Sequence, residues 1–287
     1  MRKCLVKRAV YSDPGKVRLL SWNLYHGRDF PPDRALRTWR SRLFGLTEHN
    51  ATHAQVNRPL FHEFAGLLAS SDWDVAFLQE APPRWFRPLA RRAGASGAIA
   101  LTSRNTGAFA RGLVAAVNPD LIASGEGGSN QLLVRAPGRI LDVRRHTLAE
   151  RPERRRMLLA RMELPGGRRL VAANLHATAS RGDRAAAPEV VRAAELAVEW
   201  AREDPLVFGG DLNLRPQTAP EAFEALVGLG LTPPTAANAI DHLMARGLEV
   251  VEPPARLDPE RREVARGDGR RIRLSDHAPV VAAFDVR

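Results

Sequence analysis

Eight side chains in this sequence have the chemistry to bind a metal ion or to move protons, and each adjoins a short apolar run. "RLLSW" leads to Asn23, "VAFLQ" to Glu80, "LVAANL" to His176, and "LVFGG" to Asp211, with Asn213 two residues later. Asp241 stands in "AIDHL", and Asp276 and His277 stand in "RIRLSDHAP" just ahead of the last apolar run. Singly, each has an ordinary explanation. Asp and Asn cap strands and enter turns through local hydrogen bonds, and a lone histidine is more often structural, as is expected of His242. Together they require a coincidence at every strand end. If those ends lie along one edge, the side chains converge.

The chemistry gives each residue type a reason. A hard divalent cation such as magnesium takes oxygen ligands, is often held by one or two carboxylates, and keeps waters and substrate phosphate oxygens. Glu80 is the first choice of ligand. Such an ion stabilises charge on a phosphoryl oxygen and orients water for in-line attack. A positioned base must take that water's proton, and Asp211 and His277 are the contenders. A carboxylate such as Asp241, bonded to an imidazole, would orient its ring and favour its charged form. The expected reaction is metal-dependent hydrolysis of a phosphate ester.

The elements that must position these groups are mainly strands. Short apolar runs recur as "VRLLSW", "DVAFLQ", "GLVAAV", "QLLV", "MLLARMEL", "RLVAANL", "PLVFGG" and "APVVAAFDV". Helical spacing marks "PLFHEFAGLLASS" and "APEVVRAAELAVEWARE", the latter with Pro188 and Glu189 suited to a first helical turn. Consecutive strands in the middle with helices near both ends predict two packed sheets covered by helices, an α/β sandwich. No repeat or linker interrupts the chain, so one domain is expected. The stretch from His26 to about Pro59 has little pattern and is a candidate specificity element.

The chain has 287 residues, 44% hydrophobic and 26% charged, as in soluble globular proteins. A net charge of +11 favours acidic partners or phosphate-rich substrates. Only Lys3, Lys7 and Lys16 are lysines, so the charge is almost all arginine, a bias that also fits GC-rich coding. The single cysteine, Cys4, has no partner for a disulfide or a thiolate metal site. The N-terminus lacks the apolar run of a secretory signal, and no stretch is long enough for a transmembrane segment, so the expected location is cytoplasmic.

The strings "SWNLYHG", "FLQE", "NLHA", "GGDLNLRP", "IDHL" and "SDHAPV" occur in the order and approximate spacing of the endonuclease/exonuclease/phosphatase (DNase I-like) superfamily. Residues 17–287 resemble it nearly throughout, leaving 1–16 as an N-terminal extension. The resemblance implies a four-layer α/β sandwich, two packed mainly antiparallel β-sheets flanked by helices, with Mg2+ as cofactor and Mn2+ as an alternative. It implies that Asn23 and Glu80 help bind the metal, with Asp276 near it, and that Asn213 holds the scissile phosphate. Asp211 would position or deprotonate the water. His277, paired with Asp241, would contact the phosphate or act as general base, and His176 would stabilise or protonate the leaving group. Abasic-site endonucleases of the superfamily place an asparagine motif and a nearby tyrosine where this chain has "NLHATAS", and the only tyrosines here are Tyr11 and Tyr25. The chain is therefore more similar to the DNase I, sphingomyelinase and phosphatase branches.

The expected substrate is a phosphodiester, with nucleic acid the leading class because of the charge. The alternative is a phosphatase or phosphodiesterase acting on a lipid headgroup, inositol phosphate or nucleotide. A catalytically silent polyanion-binding module is a third reading, against which the complete polar set argues. No obligate protein partner is inferred. The loops Ser103–Gly112, with Arg104 and Arg111, and Gly125–Asn130 receive no role. His49 and His53 have the spacing of one helical face and are read as surface histidines, and Arg151–Arg156 as the solvated edge of the next strand.

Overall fold

Leucine- and valine-rich runs form the inner strands of two sheets, while the mostly exposed run Arg139–Ala149 and the proline-containing run Glu249–Arg256 each form an edge. The computed structural model describes residues 15–102, 113–114, 118, 127–150, 154–179 and 183–286. The first half of the chain gives β1 (Lys16–Asn23), α1 (Trp39–Phe44), β2 (Glu48–His49), β3 (Ala54–Gln55), α2 (Phe61–Ser70), β4 (Val75–Ala81), α3 (Phe86–Ala93), β5 (Ala95–Leu101) and β6 (Ser129–Arg135). Next come β7 (Arg139–Ala149), β8 (Arg155–Glu163), β9 (Arg169–His176), α4 (Asp183–Ala201), β10 (Leu206–Asp211) and α5 (Pro220–Gly228). The chain closes with β11 (Asp241–Arg246), β12 (Glu249–Arg256), β13 (Glu263–Ala265), β14 (Arg271–Arg273) and β15 (Val280–Asp285).

Six strands form one sheet in the order β12-β15-β1-β4-β6-β5, and five form another in the order β11-β10-β9-β8-β7. Within each sheet a single pair is parallel, β1 with β4 and β9 with β10, and the other neighbours are antiparallel. This topology decides where chemistry collects. Parallel neighbours end at the same edge, and an antiparallel neighbour begins there. The ends of β1, β4, β9 and β10 thus meet the beginnings of β11 and β15.

Three buried clusters fill the spaces between four layers. Leu19, Phe77, Leu132, Leu158 and Phe284 lie in the core between the sheets. Phe64, Leu68 and Leu89 of α2 and α3 pack on the outer face of the six-stranded sheet. Val190 and Trp200 of α4 and Phe223 of α5 cover the other sheet over Phe208. The α-β-β-α order is the sandwich expected from the sequence.

Several local expectations are corrected. Helix α4 begins at Asp183, so Pro188 lies inside it and not in its first turn; alanines at 185–187, the best helix formers, carry the helix upstream. His49 and His53 lie in and beside the β2–β3 hairpin and not on a helix. Asn50 Oδ1 accepts from the N–H groups of Thr52 and His53, and that side-chain turn replaces a helical one. His53 is half-buried, with Nε2 3.1 Å from Glu263 Oε1. Strand β7, "RILDVRRHTLA", was not expected, because its mostly exposed positions carry arginine instead of an apolar run. Strand β12 contains Pro253 and Pro254, which only an edge tolerates. Leu113 and Val114 of "GLVAAV" are helical instead of extended. Cys4, Tyr11, almost all of the 1–16 extension, Ser103–Gly112 with Arg104 and Arg111, Gly125 and Glu126, and Arg151–Glu153 lie outside the described residues.

The His26–Pro59 stretch has its own structure. It contains α1 and the β2–β3 hairpin, and it docks against the β13–β14 hairpin through bridges between Asp29 and Leu274 and between His53 and Arg271. Asp29 Oδ2 accepts from Val56 N at 2.8 Å, which ties the two ends of the stretch together.

Candidate active site

The strand ends converge as the topology requires. Asp211, the last residue of β10, stands in register with His176 on one side and Asp241 on the other. Asn23, at the end of β1, reaches across from the other sheet and donates through Nδ2 to Asp211 Oδ2 at 2.9 Å. That oxygen is also 3.6 Å from His176 Nε2 and 3.7 Å from His277 Nε2. Asp211 Oδ1 accepts from the Asn213 N–H at 3.1 Å, and Asn213 Nδ2 donates to Ala177 O. His277 Nδ1 meets Asp241 at 2.9 and 3.1 Å, and Asp276 lies beside the same ring, 3.9 Å from Nε2. Glu80 Oε1 is 3.6 Å from His176 Nε2. All eight residues singled out in the sequence share one rim.

Backbone strain marks this rim. Among the described residues six non-glycine residues have positive φ, and five of them, Tyr25, His26, Glu80, Asn213 and Ser275, belong to the site. At Glu80 the strain coincides with a break in the β4–β6 register, a bulge that frees its side chain from strand alternation. The floor is a polar bridge between the sheets. Gln79 Nε2 donates to Asn174 Oδ1 at 2.7 Å, and Asn174 Nδ2 donates to the carbonyls of Leu78 and Gln131. Above it, Gly210 is required at φ +121: a Cβ there would stand 2.1 Å from Leu175 O and 2.8 Å from Asn174 Oδ1.

Burial and like charge set the protonation states. Burial pushes the Glu80 carboxyl up to about 7, with Asp211 and Asp276 adding to the rise. Burial opposes charge on His277, but Asp211, Asp241 and Asp276 outweigh it and lift the imidazole to about 10. Burial holds His176 down to about 3. Arg155 Nη1 lies 3.2 Å from His176 Nδ1. An arginine only donates, so Nδ1 accepts and the neutral ring carries its proton on Nε2, facing Glu80 and Asp211.

The sequence reading missed four contributors. Arg155 is buried, not part of a solvated edge, and its guanidinium turns inward to His176. Ser275 Oγ donates to Asn23 O at 2.6 Å and accepts from His277 N at 3.0 Å, which joins two strand ends. His26 is buried, with Nε2 3.2 Å from Glu80 Oε2, and is held down to about 3 by burial and by Arg28. Trp22 Nε1 donates to His277 O. His26, Ser275 and Trp22 lie inside the quoted motif strings, so adjacency to Asn23 and Asp276 was their only signal. Arg155 had none.

Gathered carboxylates suit a hard divalent cation. To the burial that raises Glu80, Asp211 and Asp276 add like charge, and oxygen donors from Asn23, Glu80, Asp211 and Asp276 are of the type such an ion takes. Ligand atoms of Asp211, Asp241 and His277 also lie within 4.8 Å of one another. His277 Nδ1 is already committed to Asp241 by hydrogen bonds, so the oxygen-rich group around Glu80 fits better.

The sequence profile of the Endonuclease/Exonuclease/phosphatase family matches residues 20–277, a span that takes in all eight residues. The chain belongs to this family. Solved structures agree on the fold. A Bacteroides thetaiotaomicron endonuclease/exonuclease/phosphatase family protein is 16% identical, with TM-score 0.62 over 95% of this chain and 98% of the other. The human Nocturnin catalytic domain with bound sulfate anion is 15% identical, with TM-score 0.60 over 95% and 94%. A mannosyl-6-phosphatase from Bacteroides thetaiotaomicron is 17% identical, with TM-score 0.62 over 93% and 99%. No curated protein sequence matches the chain. Endonuclease/exonuclease/phosphatase proteins are phosphoesterases, generally dependent on a divalent metal. Among the described residues of this member, no helix is long and apolar enough to cross a membrane.

Proposed function

We propose that this chain is a magnesium-dependent phosphodiesterase with nucleic acid as its leading substrate class. The observation that carries the reading is the position of Asp211 Oδ2, which contacts Asn23 and lies between the His176 and His277 imidazoles at 3.6 and 3.7 Å. Asn23, Glu80 and Asp276 would hold Mg2+, for which Mn2+ substitutes. When bound, the ion would neutralise charge developing on a phosphoryl oxygen.

The chain's own groups divide the remaining work. Asp211 orients the attacking water and accepts its proton. His277, carrying a charge under the influence of three carboxylates, donates to a phosphate oxygen and is a poor base while protonated. Asp241 fixes its ring. Asn213 contacts the scissile phosphate, and the Nε2 proton of His176 faces the leaving oxygen. The net charge of +11 supports a polyanionic substrate.

A phosphomonoester is the second reading, favoured by the fold shared with a mannosyl-6-phosphatase. Turnover of bis-p-nitrophenyl phosphate and p-nitrophenyl phosphate, in magnesium, manganese or EDTA, tests both readings against His277→Ala. Metal-dependent turnover lost in the variant sustains the phosphoesterase, and the diester to monoester ratio chooses between the readings. Equal inactivity of both proteins on these and on DNA, RNA and lipid substrates would sink both.

A further inference from the structure

Beside the rim lies a cleft of about 360 Å³ built largely by the His26–Pro59 stretch. Tyr25, Arg28, Phe30, Arg34, Arg37 and Arg42 line it, with Asp29 the only acidic residue of its wall among the described residues. Its volume is that of a small-molecule site. The cleft and the reaction centre share walls. Tyr25 N donates to Asn23 Oδ1 at 2.9 Å, and Arg28 O accepts from Ser275 N, whose Oγ fixes Asn23 and His277.

Two of the arginines are pre-positioned. The Arg28 guanidinium stacks 3.8 Å over the Tyr25 ring, and that of Arg37 stacks 4.2 Å over Phe30. The two rings meet edge to face at 5.8 Å, so the four side chains form one ladder. Arg28 Nε donates to Tyr25 O at 3.3 Å, whereas stacking uses only the flat face of the Arg37 guanidinium and leaves its in-plane N–H groups as donors, and a pre-ordered fork loses little entropy on gripping an oxyanion. Among the described residues, neither Arg34 nor Arg37 is paired with a carboxylate.

We propose that this cleft binds a second phosphate group of the substrate, so that the enzyme prefers esters carrying a phosphate beyond the one it cleaves. The inference rests on the phosphoesterase reading and deepens it. The second phosphate has two sources, the next link of a nucleic acid or the distal phosphate of a small bisphosphate.

The test compares wild type with Arg34→Ala/Arg37→Ala on three esters. They are bis-p-nitrophenyl phosphate, thymidine 5′-(p-nitrophenyl phosphate), and the latter carrying a 3′-phosphate. Wild type should prefer the 3′-phosphorylated ester in kcat/KM by roughly 10- to 100-fold, the range of a lost charge-assisted contact. The variant should lose that preference through KM, keep bis-p-nitrophenyl phosphate turnover within about twofold, and keep its melting temperature. No preference in wild type, or an equal preference in both proteins, overturns the proposal. Oligothymidylates and inositol 1,4-bisphosphate then separate the sources: the substrate on which the variant is defective names its class, and a defect on neither overturns the proposal. If wild type cleaves none of these esters, the phosphoesterase reading fails separately. Calorimetry with thymidine 3′,5′-bisphosphate still decides the cleft, because binding lost in the variant supports it and equal binding refutes it.

Discussion

Asp241 grips His277 Nδ1 with both carboxylate oxygens, at 2.9 and 3.1 Å, while Trp22 and Ser275 hold the histidine's backbone. The other ring nitrogen therefore faces Asp211. Asp241→Asn removes one of the charges that lift the imidazole, so its pKa should fall below about 10. A loss of roughly 10²-fold in kcat accompanies it, the low end of general acid–base contributions. An NMR titration of the ring decides the point. An unchanged pKa would remove Asp241 from the role given to it.

Metal-free stability should depend on pH through Glu80. Its folded-state pKa, about 7, lies above the free value of 4.5. Between those values the folded chain keeps a proton that the unfolded chain has lost, so this contribution disappears as pH rises through 7. In EDTA, Glu80→Gln should therefore melt higher than wild type at pH 8 and converge with it near pH 5. Magnesium should raise the wild-type melting temperature at pH 8 and leave that of the variant unchanged. Equal magnesium responses in calorimetry would refute Glu80 as a ligand.

Arg155→Met removes the donor to His176 Nδ1. The ring is then free to carry its proton on either nitrogen, and kcat should drop about tenfold or more where a hydrogen bond from Nε2 stabilises charge on a basic leaving oxygen. An activated p-nitrophenolate leaving group should lose less than a thymidine one. Equal losses for both would assign Arg155 a merely structural role.

Asn174 is the polar bolt between the sheets. Asn174→Ala strips Gln79 Nε2 of its 2.7 Å partner and leaves Ser21 Oγ at 3.3 Å. Leaving a buried donor poorly paired costs roughly 1–3 kcal/mol. Urea denaturation measures that loss, and an unchanged midpoint would show that the bridge contributes no stability.

The inner strands were legible because burial on both faces demands runs such as "VAFLQ" and "LVFGG", and the polar residue ending each run was legible by contrast. The edges were not. β7 faces solvent and reads as arginine, and the prolines of β12 read as a breaker, because an edge strand needs hydrogen bonds on one side only. Within the site, Asn23, Glu80, His176 and Asp211 stand out at strand ends, whereas Arg155 sits among charged neighbours that give no hint of its inward turn. His26 lies past the strand end, in a turn at φ 53, where strand alternation no longer says which way a side chain points. Side-chain direction in a turn depends on φ, which composition does not encode.

The left-handed backbone at Tyr25, His26, Glu80, Asn213 and Ser275 has a consequence for how this enzyme changes under selection. Glycine at Asn213 or Glu80 would relieve the conformation at once and yield a sturdier protein without its chemistry. A library screened for heat resistance alone would therefore drift toward inert variants, and the same five codons would stay fixed only while turnover is being selected.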